Sequence, residues 1–172
     1  MADRSATVFL DTAYIFALVN SRDQWHVRAK QWEAAMTAER RRLITTEFIL
    51  IEIGDGLAAV DFRRQAVQVL DTLAASSLVE VVPASSDRYA EGLQLYRNRH
   101  DKGWGLTDCT SFEVMRQRGL RDALTTDKHF EEAGFRALLR EEPGLARLYK
   151  LRKPMYRNSC TRKGLRHGTC IP

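Results

Sequence analysis

Apolar and polar positions along the chain alternate between a strand-like and a helix-like spacing. Residues 7–11, Thr-Val-Phe-Leu-Asp, form a β-branched and apolar run that stops at a carboxylate, the pattern of a buried strand. Trp25, Ala29, Trp32 and Met36 then recur at helical spacing, as do Phe62, Ala66, Val69, Leu70 and Leu73, and both sets are flanked by charged side chains. Between them, residues 43–45 predict a second strand and residues 47–59 an apolar helix. Residues 78–82, ended by Pro83, predict a third strand, and residues 87–97 a helix with Tyr89, Leu93 and Tyr96 on one side. After the loop Asp101-Lys-Gly-Trp-Gly, the pattern predicts a helix over 107–117 closed by Gly119, a strand over 123–126, a turn or short helix, and a last strand over 135–138. Strands and helices alternating at these lengths predict an α/β fold with a mainly parallel sheet covered by helices on both faces.

With 172 residues the chain needs one domain, and 44% hydrophobic with 28% charged residues is the composition of a globular protein. The longest unbroken apolar run, residues 13–19, falls well short of the roughly 20 residues that span a bilayer. No membrane helix is expected. The start, Met-Ala-Asp-Arg, lacks the basic segment, unbroken apolar stretch and small-residue cleavage site of a signal peptide, so the expected location is the cytoplasm. Three cysteines make no disulfide framework. The net charge of +5 comes from the C-terminal end: residues 151–172 hold six bases and no acid, and without them 21 bases stand against 22 acids. Basicity therefore belongs to the tail and does not by itself mark the body as a nucleic-acid binder. Periodicity fails near Pro143, which divides a domain of residues 1–142 from a basic, disordered tail of residues 143–172.

Open parallel sheets bind ligands at the carboxyl ends of their strands, and two predicted strands here end in aspartate, at Asp11 and Asp127. Either one alone is more often a cap or turn residue. Helical spacing sets Glu52 on the side of Phe48 and Ile49, and Asp108 on the side of Phe112 and Met115, so each acid is expected to turn partly toward the core. A buried carboxylate must be paired, protonated or bound to a metal, although Asp108 also stands in a first helical turn, where negative charge is favoured. Four acids delivered to one end of a sheet would repel one another unless a divalent cation neutralised them, and an all-oxygen set suits Mg²⁺ or Mn²⁺ rather than Zn²⁺. Such a centre hydrolyses phosphodiesters by acidifying the attacking water and stabilising the leaving oxygen.

These segments resemble the PIN-domain proteins, in particular the VapC-like toxins of type II toxin-antitoxin systems. The resemblance runs over residues 7–139 and is carried by Val-Phe-Leu-Asp11-Thr-Ala, Ile44-Thr-Thr-Glu-Phe-Ile-Leu-Ile-Glu52, Asp101-Lys-Gly-Trp-Gly-Leu-Thr-Asp108-Cys-Thr-Ser-Phe and Ala123-Leu-Thr-Thr-Asp127-Lys-His-Phe-Glu-Glu-Ala-Gly-Phe. It implies a three-layer α/β/α sandwich and a metal-dependent endoribonuclease with Asp11, Glu52, Asp108 and Asp127 at the catalytic positions. Asp11 and Asp108 then hold the metal, Mg²⁺ or Mn²⁺, and Glu52 and Asp127 complete the pocket directly or through water. It further implies an RNA substrate, a cognate antitoxin covering the pocket, and a homodimer. Many relatives carry Ser shortly before the third acid; here Gly105 offers no capping hydroxyl.

Thr12 and Thr126 are placed to orient the acids by hydroxyl hydrogen bonds. His129 reads more simply as a turn residue, Cys109 as a small core residue, Arg40, Arg41 and Arg42 as a solvated helix end, and Trp25, Trp32 and Phe62 as core or a dimer face. Cys160, His167 and Cys170 match no zinc pattern. Two other functions compete: a PIN-type nuclease of RNA processing without a toxin role, and a non-enzymatic metal-binding module. An adjacent antitoxin gene discriminates the first, and an Asp11→Asn variant the second. A phosphoacceptor signalling domain fits less well, because such domains need a lysine where this chain has Asp127.

Overall fold

In the computed structural model, which describes residues 7–143, five strands form one sheet: β1 (Thr7–Leu10), β2 (Arg42–Thr46), β3 (Val79–Val82), β4 (Asp122–Leu124) and β5 (Arg136–Ala137). All neighbours are parallel and the order is β3-β2-β1-β4-β5. Seven helices connect them: α1 (Thr12–Val19), α2 (His26–Ala38), α3 (Glu47–Gly56), α4 (Val60–Ala75), α5 (Ser86–Asn98), α6 (Leu106–Arg118) and α7 (Lys128–Glu132). From β1 the chain winds outward through β2 to β3, then crosses back to β4 and winds the other way to β5. Right-handed crossovers put α1 to α4 on one face and α5 to α7 on the other. Packing agrees, since α1 touches α2 and α3, α3 touches α4, and α6 touches both α5 and α7. The architecture is the expected three-layer sandwich.

Reversal of winding makes the gap between β1 and β4 the topological switch point, where open α/β sheets form their ligand crevice. The register sets Phe9 of β1 between Ile44 of β2 and Ala123 of β4, and Val8, Phe9 and Leu10 are all buried, as a strand covered on both faces requires. Beneath the crevice the rings of Phe112 and Phe130 meet edge to face at 4.9 Å, Trp104 meets Phe112 at 5.1 Å, and Phe9 lies 6.1 Å from Phe130. These rings join β1, the loop before α6, α6 and α7, the elements whose ends deliver three of the acids.

Helix α1 has no counterpart among the predicted elements. Its residues are the apolar run 13–19, which has no polar face to reveal a period; Tyr14, Ile15 and Ala17 are buried and Asp11 caps its start. In α4 the helical pattern is right but its depth is not: Ala66 and Leu73 are buried, whereas Phe62 is 39% exposed. Gly119 closes α6 at φ 65°, a left-handed cap that glycine adopts without a Cβ penalty. The last described residues are tied to α2, with the Trp32 indole donating to the Glu141 carbonyl at 3.2 Å and Arg28 paired with Glu142. Beyond Pro143 the basic tail, with Cys160, His167 and Cys170, lies outside the described residues. No helix among the described residues is long and apolar enough to cross a membrane.

Candidate active site

Asp11 directly follows β1 and is buried; its backbone N–H still bonds to Leu124 of β4 at 3.3 Å, so the residue stands in the switch point itself. Its Oδ2 accepts the Thr125 hydroxyl at 2.6 Å and the Ala13 N–H at 3.3 Å. The Thr125 hydroxyl in turn accepts the Asp127 N–H at 2.9 Å. One fully buried hydroxyl thus fixes the first and last acids relative to each other. The expected partner on this segment was Thr126. β4 ends at Leu124, earlier than the pattern predicted, and it is Thr125 that turns inward, while Thr126 offers its carbonyl to Arg140 at 3.1 Å.

Thr46 caps α3 by accepting the Ile49 N–H at 3.2 Å, and the helix buries Ile49 and Ile53. Glu52 does not share that buried stripe. It is exposed as a residue, at the rim of the crevice, because one helical turn from Phe48 carries it to the edge of the apolar face. Its carboxylate nevertheless accepts the Thr12 hydroxyl at 3.1 Å, the hydrogen bond expected of Thr12, which ties the start of α1 to α3. Beside it a cleft of about 410 Å³ is lined by Phe16, Phe48, Ile51, Asp55 and Thr107. A larger cleft of about 600 Å³ lies between α1, α2 and α4, and none of the four acids lines it.

Asp108 stands in the first turn of α6, its Oδ2 accepting the Gly105 N–H at 2.8 Å. Glycine at that cap returns no hydroxyl, so half of the reciprocal capping pair is missing. Asp127 caps α7 by accepting the His129 N–H at 2.8 Å. The His129 ring swings back between the two acids, with Nδ1 3.5 Å from Asp108 Oδ2 and 3.3 Å from Asp127 Oδ1. Donor atoms of these three residues all lie within 4.8 Å of one another. Lys102, paired with Glu132 at 3.6 Å, ties the preceding loop to α7, and Arg99 stacks 4.6 Å over Trp104 of the same loop.

The carboxylates are close enough to perturb one another. Burial, followed by the charges of Asp108 and Glu52, pushes Asp11 from 3.8 up to about 7 against the opposing Thr125 and Ala13 hydrogen bonds. Burial first and the neighbouring acids second also raise Glu52 and Asp108 above the ordinary carboxylate range. Among the described residues no lysine or arginine pairs with any of the four. Acids that repel one another and that no lysine or arginine pairs with, two of them (Asp108 and Asp127) with oxygens at ligand spacing beside His129, fit a divalent cation.

Other candidates resolve into structure. Cys109 is fully buried, and burial with the adjacent Asp108 charge pushes its thiol up to about 11, leaving it unreactive. Arg41 pairs with Glu39 at 2.9 Å, and residues 40–42 lie at the amino end of β2, across the sheet from the acids. Trp32 is core.

A doubly wound α/β fold with acids gathered at its switch point defines a protein built around an acidic centre able to take a cation. The chain belongs to the PIN domain family, whose family model matches residues 8–136. It is 28% identical over 128 residues to the 23S rRNA-specific endonuclease VapC20 of Mycobacterium tuberculosis, a match covering 74% of this chain and 95% of that protein. The crystal structure of M. tuberculosis VapC20, described as a Sarcin-Ricin loop cleaving toxin, superposes with a TM-score of 0.67 at 26% identity, covering 76% of this chain and 98% of that one. FitAcB from Neisseria gonorrhoeae shares the fold, with a TM-score of 0.54 at 19% identity over 76% of this chain and 97% of that one.

Proposed function

We propose that this protein is a Mg²⁺- or Mn²⁺-dependent endoribonuclease, the toxin of a toxin-antitoxin pair, acting in the cytoplasm on structured RNA. The observation that carries this reading is the convergence of Asp11, Glu52, Asp108 and Asp127 at the switch point of a PIN fold, supported by similarity to an endonuclease named for 23S rRNA. Asp11 and Asp108 hold the cation, and Glu52 and Asp127 complete the pocket. The bound cation supplies the positive charge that acidifies an attacking water and stabilises the phosphate oxygens. Thr125 and Thr12 hold the Asp11 and Glu52 carboxylates in place, which keeps the acids from spreading apart under their own repulsion. The aromatic floor keeps water out from beneath the carboxylates.

The same reading assigns residues 1–142 to the nuclease domain and residues 143–172 to a basic appendage outside its mechanism. It expects a cognate antitoxin that covers the acidic crevice, and a homodimer. The test is incubation of purified, partner-free protein with a structured RNA pool that includes 23S rRNA, in Mg²⁺, Mn²⁺ or EDTA. Internal cuts that appear with either metal and vanish in EDTA are the expected result. Intact RNA in every metal, from protein shown to be folded, overturns the reading in favour of a non-enzymatic module.

A further inference from the structure

His129 is the one group in the acidic crevice that the four-carboxylate scheme leaves without a task. Its Nδ1 atom is shut off from solvent, while the side chain as a whole stays 23% exposed, and it stands 3.3 and 3.5 Å from oxygens of Asp127 and Asp108, close enough to draw the Asp108 carboxyl down against its burial. The separations are close to what a shared cation requires: ligand atoms at right angles around a small divalent ion stand about 3 Å apart. The ring is also held in that position. Asp127 accepts the His129 backbone N–H, and Phe130 anchors α7 in the aromatic floor.

Resting on the metal-dependent reading above, we propose that His129 Nδ1 is a further ligand of the cation that Asp108 holds, with Asp127 beside it, making a mixed nitrogen and oxygen site. An imidazole donor shifts the preference away from Mg²⁺, which favours oxygen, toward Mn²⁺ and its softer neighbours. The crevice is then tuned by one residue that is not acidic.

The direct test is pulsed electron spin resonance on the full chain loaded with Mn²⁺, in which a directly bonded imidazole imprints a ¹⁴N modulation on the manganese signal. That modulation is expected in the wild-type protein, is retained in His167→Asn and is lost in His129→Asn. Calorimetry should show His129→Asn weakening Mn²⁺ binding about tenfold or more, with a smaller effect on Mg²⁺. Mn²⁺ that binds in a manner sensitive to Asp108→Asn but shows no ¹⁴N modulation in the wild-type protein overturns the role of His129 and leaves the carboxylate site standing. Modulation that persists in His129→Asn also overturns it. Mn²⁺ binding indifferent to Asp108→Asn overturns both the ligand and the site.

Discussion

Asp11 bears the heaviest electrostatic load of any residue in the crevice, and its load has a sign that experiment can check. Its value in the folded protein, about 7, lies above the 3.8 of a free aspartate, so between these values the folded state keeps a proton that the unfolded chain has lost. Stability from this group is full below about pH 4, declines as pH rises through that window and is gone above about pH 7; the displacement amounts to at most about 4 kcal/mol. Glu52 and Asp108, also raised, act in the same direction. In EDTA, an Asp11→Asn variant should therefore melt above the wild-type protein at about pH 8, with the difference shrinking as pH falls toward about 4. Calorimetry at several pH values checks this, and a variant that melts lower at about pH 8 speaks against a strained metal-free site. Such a gain in stability with loss of the functional group is the usual trade-off at an active site.

At the scale of elements, the site depends on α6 presenting Asp108 at a fixed height, and α6 is set by how closely α5 approaches it. Gly92, in the middle of α5, makes that approach possible: a Cβ there would meet the Thr110 methyl at 2.4 Å and Thr110 backbone atoms at 3.1 Å. Alanine in a helix gains about 1 kcal/mol over glycine, but overpacking of this kind costs about 1–3 kcal/mol. Gly92→Ala should accordingly lower stability in urea by up to about 2 kcal/mol and slow RNA cleavage, because Thr110 lies two residues past Asp108 on the same helix. The strands and most helices were legible because burial imposes a period on them. α1 was not, since residues 13–19 are apolar all round, and neither was the inward turn of Thr125, because β4 closing at Leu124 changes which threonine faces the acids. Asp11 was legible from its place at a strand end and Asp108 from the first turn of its helix, whereas Asp127, expected at the end of β4, caps α7 instead. For Glu52 helical spacing gives a side of α3 and not its distance from the rim, and the ring of His129 folding back over Asp127 left no periodic trace.

For the molecule as a whole, function depends on one property of the topology: winding reverses between β1 and β4, and acids carried by the end of β1, by α3, by the start of α6 and by the start of α7 gather at that crevice. The charge distribution separates from this body, since the excess of basic residues lies in residues 151–172. A chain ending at residue 142 should fold with an unchanged melting temperature and cut RNA at an unchanged rate at moderate salt; a loss of cleavage that low salt restores would assign the tail a role in holding RNA. The most direct measurement of the central claim is the cleavage rate of a structured RNA in Mn²⁺ by four single variants, Asp11→Asn, Glu52→Gln, Asp108→Asn and Asp127→Asn, each shown to be folded by circular dichroism. Each should lose about a hundredfold or more in rate, since each removes charge from a single shared centre. Wild-type rates in the folded Asp11→Asn and Asp108→Asn variants would contradict the account and place RNA cleavage, if present, elsewhere on the molecule.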